Sequence, residues 1–361
     1  MIDKDLAKIW QLIKEKSIEL GFSNISVTDC ELSRYISHFK HWLNENYHGS
    51  MTYMNNHFDK RTHPEKLVEG TQRVIIVTIP YLTEKYDLKT TITKLNKPSE
   101  QAIISRYAWG RDYHKVIRKR LQKLADYISS FFDNHHYRAF TDSAPVLEKP
   151  LAEKSGLGVI AKHSNLLTKQ GSWFFLGELY TNIPFKAENI TESEDLCKKC
   201  KACISICPTE AIIAPKVVDA KRCISYLTIE NKGPIPIKFR KAIGNRIYGC
   251  DDCQLVCPWN RYAKLTTIED FKTRHSFNQI SLLEVFQWDE KTFFKKTEGS
   301  AIRRIGYLSW LRNVAVALGN APYHVDILKV LENQRLLISD EMVIEHINWA
   351  IKEQLSKKDK N

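Results

Sequence analysis

Eight of the nine cysteines lie close enough together to do chemistry as a set. Cys197, Cys200, Cys203 and Cys207-Pro208 read C-x2-C-x2-C-x3-C-P. Cys223 follows, then Cys250, Cys253 and Cys257-Pro258, again with x2 and x3 spacing and a closing proline. Loops this short let three thiolates converge on one face of a [4Fe–4S] cube, and the proline redirects the chain so that the fourth sulfur reaches a second cube. Two cubes need eight thiolates. The crossing pattern assigns Cys197, Cys200, Cys203 and Cys257 to one cluster and Cys207, Cys223, Cys250 and Cys253 to the other. Two zinc sites would also take eight cysteines, but structural zinc favours separated C-x2-C pairs. Cys30 is left over and reads as a small buried hydrophobe.

Two such clusters conduct low-potential single electrons, and a wire alone needs far fewer than 361 residues. The N-terminal part should therefore hold the electron acceptor. Asp142, in AFTDSAPVLEKP, is either a helix cap or an acid at a strand end facing a ligand. Glu148 and Glu153 read as ordinary helix carboxylates. Gly156-Leu-Gly158-Val-Ile-Ala161 is formally G-x-G-x-x-A, but a dinucleotide site needs a strand before it and a helix after. The preceding PLAEKS reads as a helix, so the glycines are better taken as a tight turn that lets backbone approach a large ligand. The segment Arg106–His114 mixes cations with aromatics, as cofactor and nucleic-acid sites do, and equally suits a solvated helix start.

The elements that must position these residues are legible. Apolar residues at Leu6, Ile9, Ile13 and Leu20 predict a helix over 3–20, and Val74–Ile79 predicts a strand buried on both faces. Ile117, Leu121, Leu124, Ile128 and Phe131 predict a helix over 111–132, whose other face carries Arg111, Lys115, Arg118, Lys119 and Lys123. Residues 173–180 predict another strand, the polar acidic stretch 182–196 a boundary, and the chain beyond 270 packed helices.

Composition bounds the rest. Hydrophobic residues make up 43% and charged residues 27%, which excludes a disordered chain. No apolar run approaches the ~18 residues of a membrane span, and the N-terminus lacks an apolar signal core. A cytoplasmic protein is expected, where clustered cysteines serve metals rather than disulfides. The net charge of +12 is concentrated: residues 61–140 carry +7 and residues 197–260 carry +6. Such patches suit phosphates.

Several segments together resemble the epoxyqueuosine reductases. They are HGSMTYMNNHFDKRTHPEKLVEG (48–70), SRYAWGRDYHKVIRKRL (105–121), TDSAPVLEKPLAEKSGLG (141–158), the cysteine stretch 197–260 and AIRRIGYLSWLRNVAVALGNA (301–321). They span nearly the whole chain in the family's order. The resemblance implies an α/β (α+β) cobalamin-binding domain over 1–185, similar to that of reductive dehalogenases. A bacterial ferredoxin-like domain with two [4Fe–4S] clusters over 186–270 and a helical, HEAT-like segment over 271–361 would follow. It implies base-off cobalamin and the reduction of epoxyqueuosine to queuosine at the tRNA wobble position. Asp142 would be the proton donor, its acidity weakened by burial against the corrin. Arg61, Ser105, His163 and Leu166 would join it in contacting the cofactor. Ser105 stands where some members have cysteine, His63 where aspartate is usual, Val159 for tryptophan and Ala161 for glycine.

The implied partners are tRNAs with a G-U-N anticodon (Tyr, His, Asn, Asp) and a low-potential donor such as flavodoxin or ferredoxin, the enzyme being a monomer off the membrane. The Arg111–Lys123 face and Lys198, Lys199 and Lys201 would then track phosphates. A reductive dehalogenase, and an electron-transfer protein with an appended binding domain, are the competing readings.

Overall fold

The apolar run read as a doubly buried strand lies at the centre of a four-stranded sheet. The computed structural model describes residues 3–95, 97–190 and 194–359. Its main sheet comprises β1 (Asn24–Thr28), β2 (Arg73–Pro80), β3 (Tyr137–Phe140) and β4 (Phe174–Thr181), in the spatial order β1-β2-β4-β3. Every pairing is antiparallel. Such sheets commonly leave one face wet, but here helices cover both, which is why β2 is apolar without alternation.

Ile75, Val77, Ile79 and Leu179 pack on one face against α1 (Asp3–Glu19) and α3 (Tyr113–Ser129). Gly177 of β4 lets α3 come close, since a Cβ there would stand 2.9 Å from the Ile117 side chain. On the other face Val74, Ile76, Phe140 and Tyr180 pack against α2 (Ser33–Asn44) and α4 (Glu148–Lys154). The helix expected over 111–132 begins after Asp112, whose carboxylate caps it by accepting the His114 N–H.

One expectation changes. Gly158 is required because a Cβ would lie 2.7 Å from the Leu167 carbonyl oxygen, where Val159–Ile160 pairs with Leu166–Leu167. The close approach is to the chain's own backbone rather than to a ligand. The stretch expected as a boundary is tied to the N-terminal elements through Glu188 and Ile190. Glu188 accepts hydrogen bonds from the Trp10 indole and the Ser26 hydroxyl, both at 3.0 Å, and the Ile190 N–H bonds the Lys154 carbonyl at 2.9 Å.

The cysteine region folds as short helices, among them α5 (Ala202–Ile206), α6 (Ile224–Ile229) and α7 (Ile237–Ile243). Beyond it come α8 (Tyr307–Asn320), α9 (Val325–Leu337) and α10 (Glu341–Lys358). The middle of α8 is buried all round. Its Trp310, Val314 and Leu318 share a core with Phe286, Val343 and Ile347. Ile104, Ala108 and Trp109, far earlier in the chain, belong to that same core. Arg312, fully buried, donates to the carbonyls of Leu227, Asn231 and Gly233. The cysteine region is thus clamped between the parts on either side of it.

Candidate functional site

β3 ends at Phe140, and two residues later the chain takes a conformation that non-glycine residues rarely adopt: Asp142 has φ +56°. The Thr141 hydroxyl, donating to the Leu176 carbonyl at 2.8 Å, pins the turn. Asp142 is no helix cap, since α4 begins after Leu147. It is an acid at a strand end. Its Oδ2 accepts the Tyr113 hydroxyl and stands 3.3 Å from His114 Nε2, and its N–H donates to Glu148.

A chain of contacts runs away from Asp142. His114 Nδ1 lies 2.8 Å from Asp112 Oδ1, and Arg304 spans the pair, with Nη2 2.9 Å from Asp112 Oδ2 and Nη1 3.0 Å from His114 Nε2. Tyr113 is held by flat stacking on Phe175, the ring centroids 4.2 Å apart. Sequence reading saw in Arg106–His114 only a mixture of cations and aromatics. In the fold Arg106 is enclosed by Tyr86, Trp109 and Trp173, and its Nη1 lies 3.9 Å from the buried Asp251 carboxylate. His114 and Arg304 join the acid instead. Arg304 was missed because nothing local links it to residue 142.

Burial and hydrogen bonding act oppositely on the Asp142 carboxyl. Burial pushes the Asp142 carboxyl up, but the donors His114 and Tyr113 stabilise its anion and leave it below the ordinary carboxylate value. At rest Asp142 is a carboxylate. His114 is pushed down by burial but raised more by its bonds to Asp112 and Asp142, so it keeps a proton above its ordinary range.

Glu148 and Glu153 are not ordinary helix carboxylates. Burial and the Asp142 charge raise Glu148 to about 7. Glu178 on β4, fully buried nearby, is raised well above its usual range by burial and by Glu148, and so is a neutral acid. Glu153 accepts the Ile160 N–H at 2.7 Å inside the fold.

Although it sits deep in the protein, the Asp142 side chain is 57% exposed. It therefore opens onto a hollow, and its charge is felt by Tyr53, Lys149 and Glu230 around it. Arg61 is buried; its Nη2 donates to the Tyr53 carbonyl at 3.1 Å while its Nε has no hydrogen-bond partner. His163 is also buried, its Nδ1 accepting the Asn165 N–H at 3.2 Å and its Nε2 unpartnered. Burial drives His163 down to about 4, so it is neutral. Leu166 supplies buried apolar surface. Ser105 behaves differently: its hydroxyl is committed to Asp251, between Cys250 and Asp252. Asp251 also accepts the Arg106 N–H at 2.8 Å. Two buried nitrogens without partners, beside a hollow, suit a large ligand that brings polar groups at its rim.

All eight clustered cysteines are free thiols. The fold brings Cys203 under the influence of Cys197, Cys200 and Cys257. It brings Cys253 under the influence of Cys223, Cys203 and Cys207, and Cys250 under that of Cys253. The Cys253 charge also reaches Lys149 at the hollow. In the first group Cys200 is exposed, and Lys162 donates to the Lys198 and Cys200 carbonyls at 2.6 and 2.9 Å.

Lys198, Lys199 and Lys201 are exposed, as are Lys115, Arg118, Lys119 and Lys123 on α3 and Arg111 just before it. Arg240 and Arg246 of the second basic block are instead buried, paired with Glu345 and Asp252. A cleft of about 880 Å³ joins Arg111 and Lys115 to Arg274, Lys295 and Lys296.

Comparison with known proteins gives a consistent picture. Residues 61–143 match the family model described as epoxyqueuosine reductase QueG, DUF1730, and residues 196–260 match a 4Fe-4S double cluster binding domain. The chain is 51% identical over 349 residues to an epoxyqueuosine reductase of Francisella cf. novicida, covering 96% of each. The structure of epoxyqueuosine reductase from Streptococcus thermophilus aligns with TM-score 0.85 at 25% identity, over 97% of this chain and 91% of that one. A crystal structure of epoxyqueuosine reductase with a tRNA-Tyr epoxyqueuosine-modified stem loop aligns with TM-score 0.80 at 24% identity, over 97% and 100%.

Proposed function

The chain belongs to the epoxyqueuosine reductase family, and on that premise we propose that it reduces epoxyqueuosine to queuosine at the wobble position of tRNA. The epoxide oxygen leaves as water, and the alkene forms as two electrons and two protons enter. The electrons travel through the two [4Fe–4S] clusters of the double-cluster domain. The observation that carries the reading is Asp142, a carboxyl group strained at a strand end, open to a hollow and tied to a protonated imidazole.

The hollow fits cobalamin with its lower base detached. Arg61 and His163, each with an unpartnered buried nitrogen, would hold the polar rim of the corrin, and Leu166 would pack against its ring. Ser105 would act one step removed, by fixing Asp251 in the loop between Cys250 and Cys253. When bound, the corrin supplies a strongly reducing, nucleophilic cobalt centre.

The protein's own part is protonation. An epoxide oxygen leaves carbon poorly as an alkoxide, so an acid must sit over it, and Asp142 is that acid. The exposed α3 face and Lys198, Lys199 and Lys201 would hold the phosphates of an anticodon stem-loop of the G-U-N class. The modified base must turn out of its stack to reach the hollow. The C-terminal helices would act as a HEAT-like platform for the RNA. Flavodoxin or ferredoxin would supply electrons in the cytoplasm.

The test is anaerobic reconstitution with iron, sulfide and cobalamin, followed by incubation with tRNA from cells lacking this step and a strong artificial reductant. Queuosine should form. An epoxide that survives contradicts the reading.

A further inference from the structure

We infer that His114 is the proton source for Asp142: at rest the shared proton sits on the imidazole, and Asp142 draws it across as charge develops on the oxygen it faces. This rests on the proposed epoxide reduction and concerns where that reaction's protons are kept. His114 Nε2 is 3.3 Å from Asp142 Oδ2, and the ring is 93% enclosed. The groups facing it are Asp112 and Tyr113 on its own segment, Asp142 from the loop after β3, and Arg304 from the Ala301–Ile305 turn.

This set suits two protonation states. With both ring nitrogens protonated, Nδ1–H donates to Asp112 and Nε2–H faces Asp142. After the Nε2 proton leaves, Arg304 Nη1, 3.0 Å away, donates to the bared nitrogen. The bared nitrogen then accepts from a donor already in place, so the transfer leaves no buried lone pair unpaired. Asp112 stays anionic throughout, braced by Arg304 at 2.9 Å.

The balance is simple. The imidazolium gives its Nε2 proton to the Asp142 carboxylate, and the resulting acid gives its proton to the epoxide oxygen. Solvent recharges His114, and a second proton follows by the same route as the carbon–oxygen bond breaks. Two electrons through the clusters and two protons thus convert epoxide to alkene and water. Asp142 touches the reacting oxygen. His114 acts through it and is a positioning and supply residue.

The measurement is the pH profile of kcat and KM for reconstituted holoenzyme acting on epoxyqueuosine tRNA, for wild type, His114→Gln and Arg304→Gln. The wild-type rate should fall on the alkaline side as His114 loses its proton. His114→Gln should lower kcat about 100-fold, leave KM for tRNA unchanged and abolish that alkaline limb. Arg304→Gln, at a half-exposed position, removes the cation facing the ring and should move the limb to higher pH. An alkaline limb that persists unmoved in His114→Gln, or is unshifted in Arg304→Gln, overturns the inference. Asp142→Asn separates the two layers. If it is inactive while the His114 results are negative, only the proton supply is wrong; if it turns over normally, the assignment of Asp142 fails.

Discussion

The Tyr113 hydroxyl donates to the same carboxylate oxygen of Asp142 that His114 approaches, although Tyr113 belongs to a helix packed on one face of the sheet and Asp142 lies in the loop after an edge strand. Tyr113→Phe keeps the stacking on Phe175 and removes only the bond. Asp142 should then titrate at higher pH. The stability loss should be about 1 kcal/mol, modest because the carboxylate faces solvent. An Asp142 carboxyl held below 3.8 stabilises the fold above that pH and ceases to as pH falls through its lower folded value. The Tyr113→Phe difference should therefore vanish in acid, as chemical unfolding at graded pH would show.

Cluster ligation gives a second expectation. Cys257→Ser should remove the cluster that Cys197, Cys200 and Cys203 share with it, whereas Cys30→Ser should keep both. Iron content would fall from about eight atoms per chain to about four in the first variant and stay unchanged in the second. Loss instead of the cluster held by Cys250 and Cys253 would contradict the crossed assignment.

Histidines inside the fold set a pH limit on stability. His346 is fully buried, its Nε2 accepting the Ile235 N–H at 3.0 Å, and burial lowers it to about 4. A lowered imidazole favours folding above its unfolded value near 6.5, and that contribution is lost as pH falls from 6.5 toward 4. His346→Gln should remove about 2–3 kcal/mol of this acid sensitivity. Urea unfolding at pH 7 and pH 4.5 measures it.

The charged face of α3 should act through phosphates. Arg118→Glu with Lys119→Glu should weaken RNA binding and flatten its salt dependence by roughly 0.7–0.9 in log–log slope per lost contact. Filter binding over a salt series reads the slope. An unchanged slope would return these residues to the role of solvated surface.

How much of this was legible in the sequence depends on how local the signal was. The thiol runs, β2 and α3 were readable because spacing and periodicity are properties of neighbours in the chain. Asp142 was visible as an acid beside a turn, but its lowered pKa was not, since that depends on His114 and Tyr113 arriving from another element. Glu178 looked like one carboxylate in an apolar strand, and only the strand register sets it opposite Ile76 and Phe140 near Glu148. Ser105 was placed beside the cofactor by resemblance, while its partner Asp251 lies 146 residues away. The grouping of the two acids with Arg304 is a product of packing and carries no mark in sequence.

The most direct measurement is single-turnover conversion of epoxyqueuosine tRNA by reconstituted Asp142→Asn beside wild type. Asparagine preserves size but cannot pass on a proton, so bound cobalamin, iron content and tRNA affinity should match wild type while the rate falls at least about 100-fold. A variant that forms queuosine at the wild-type rate would contradict the account at its centre.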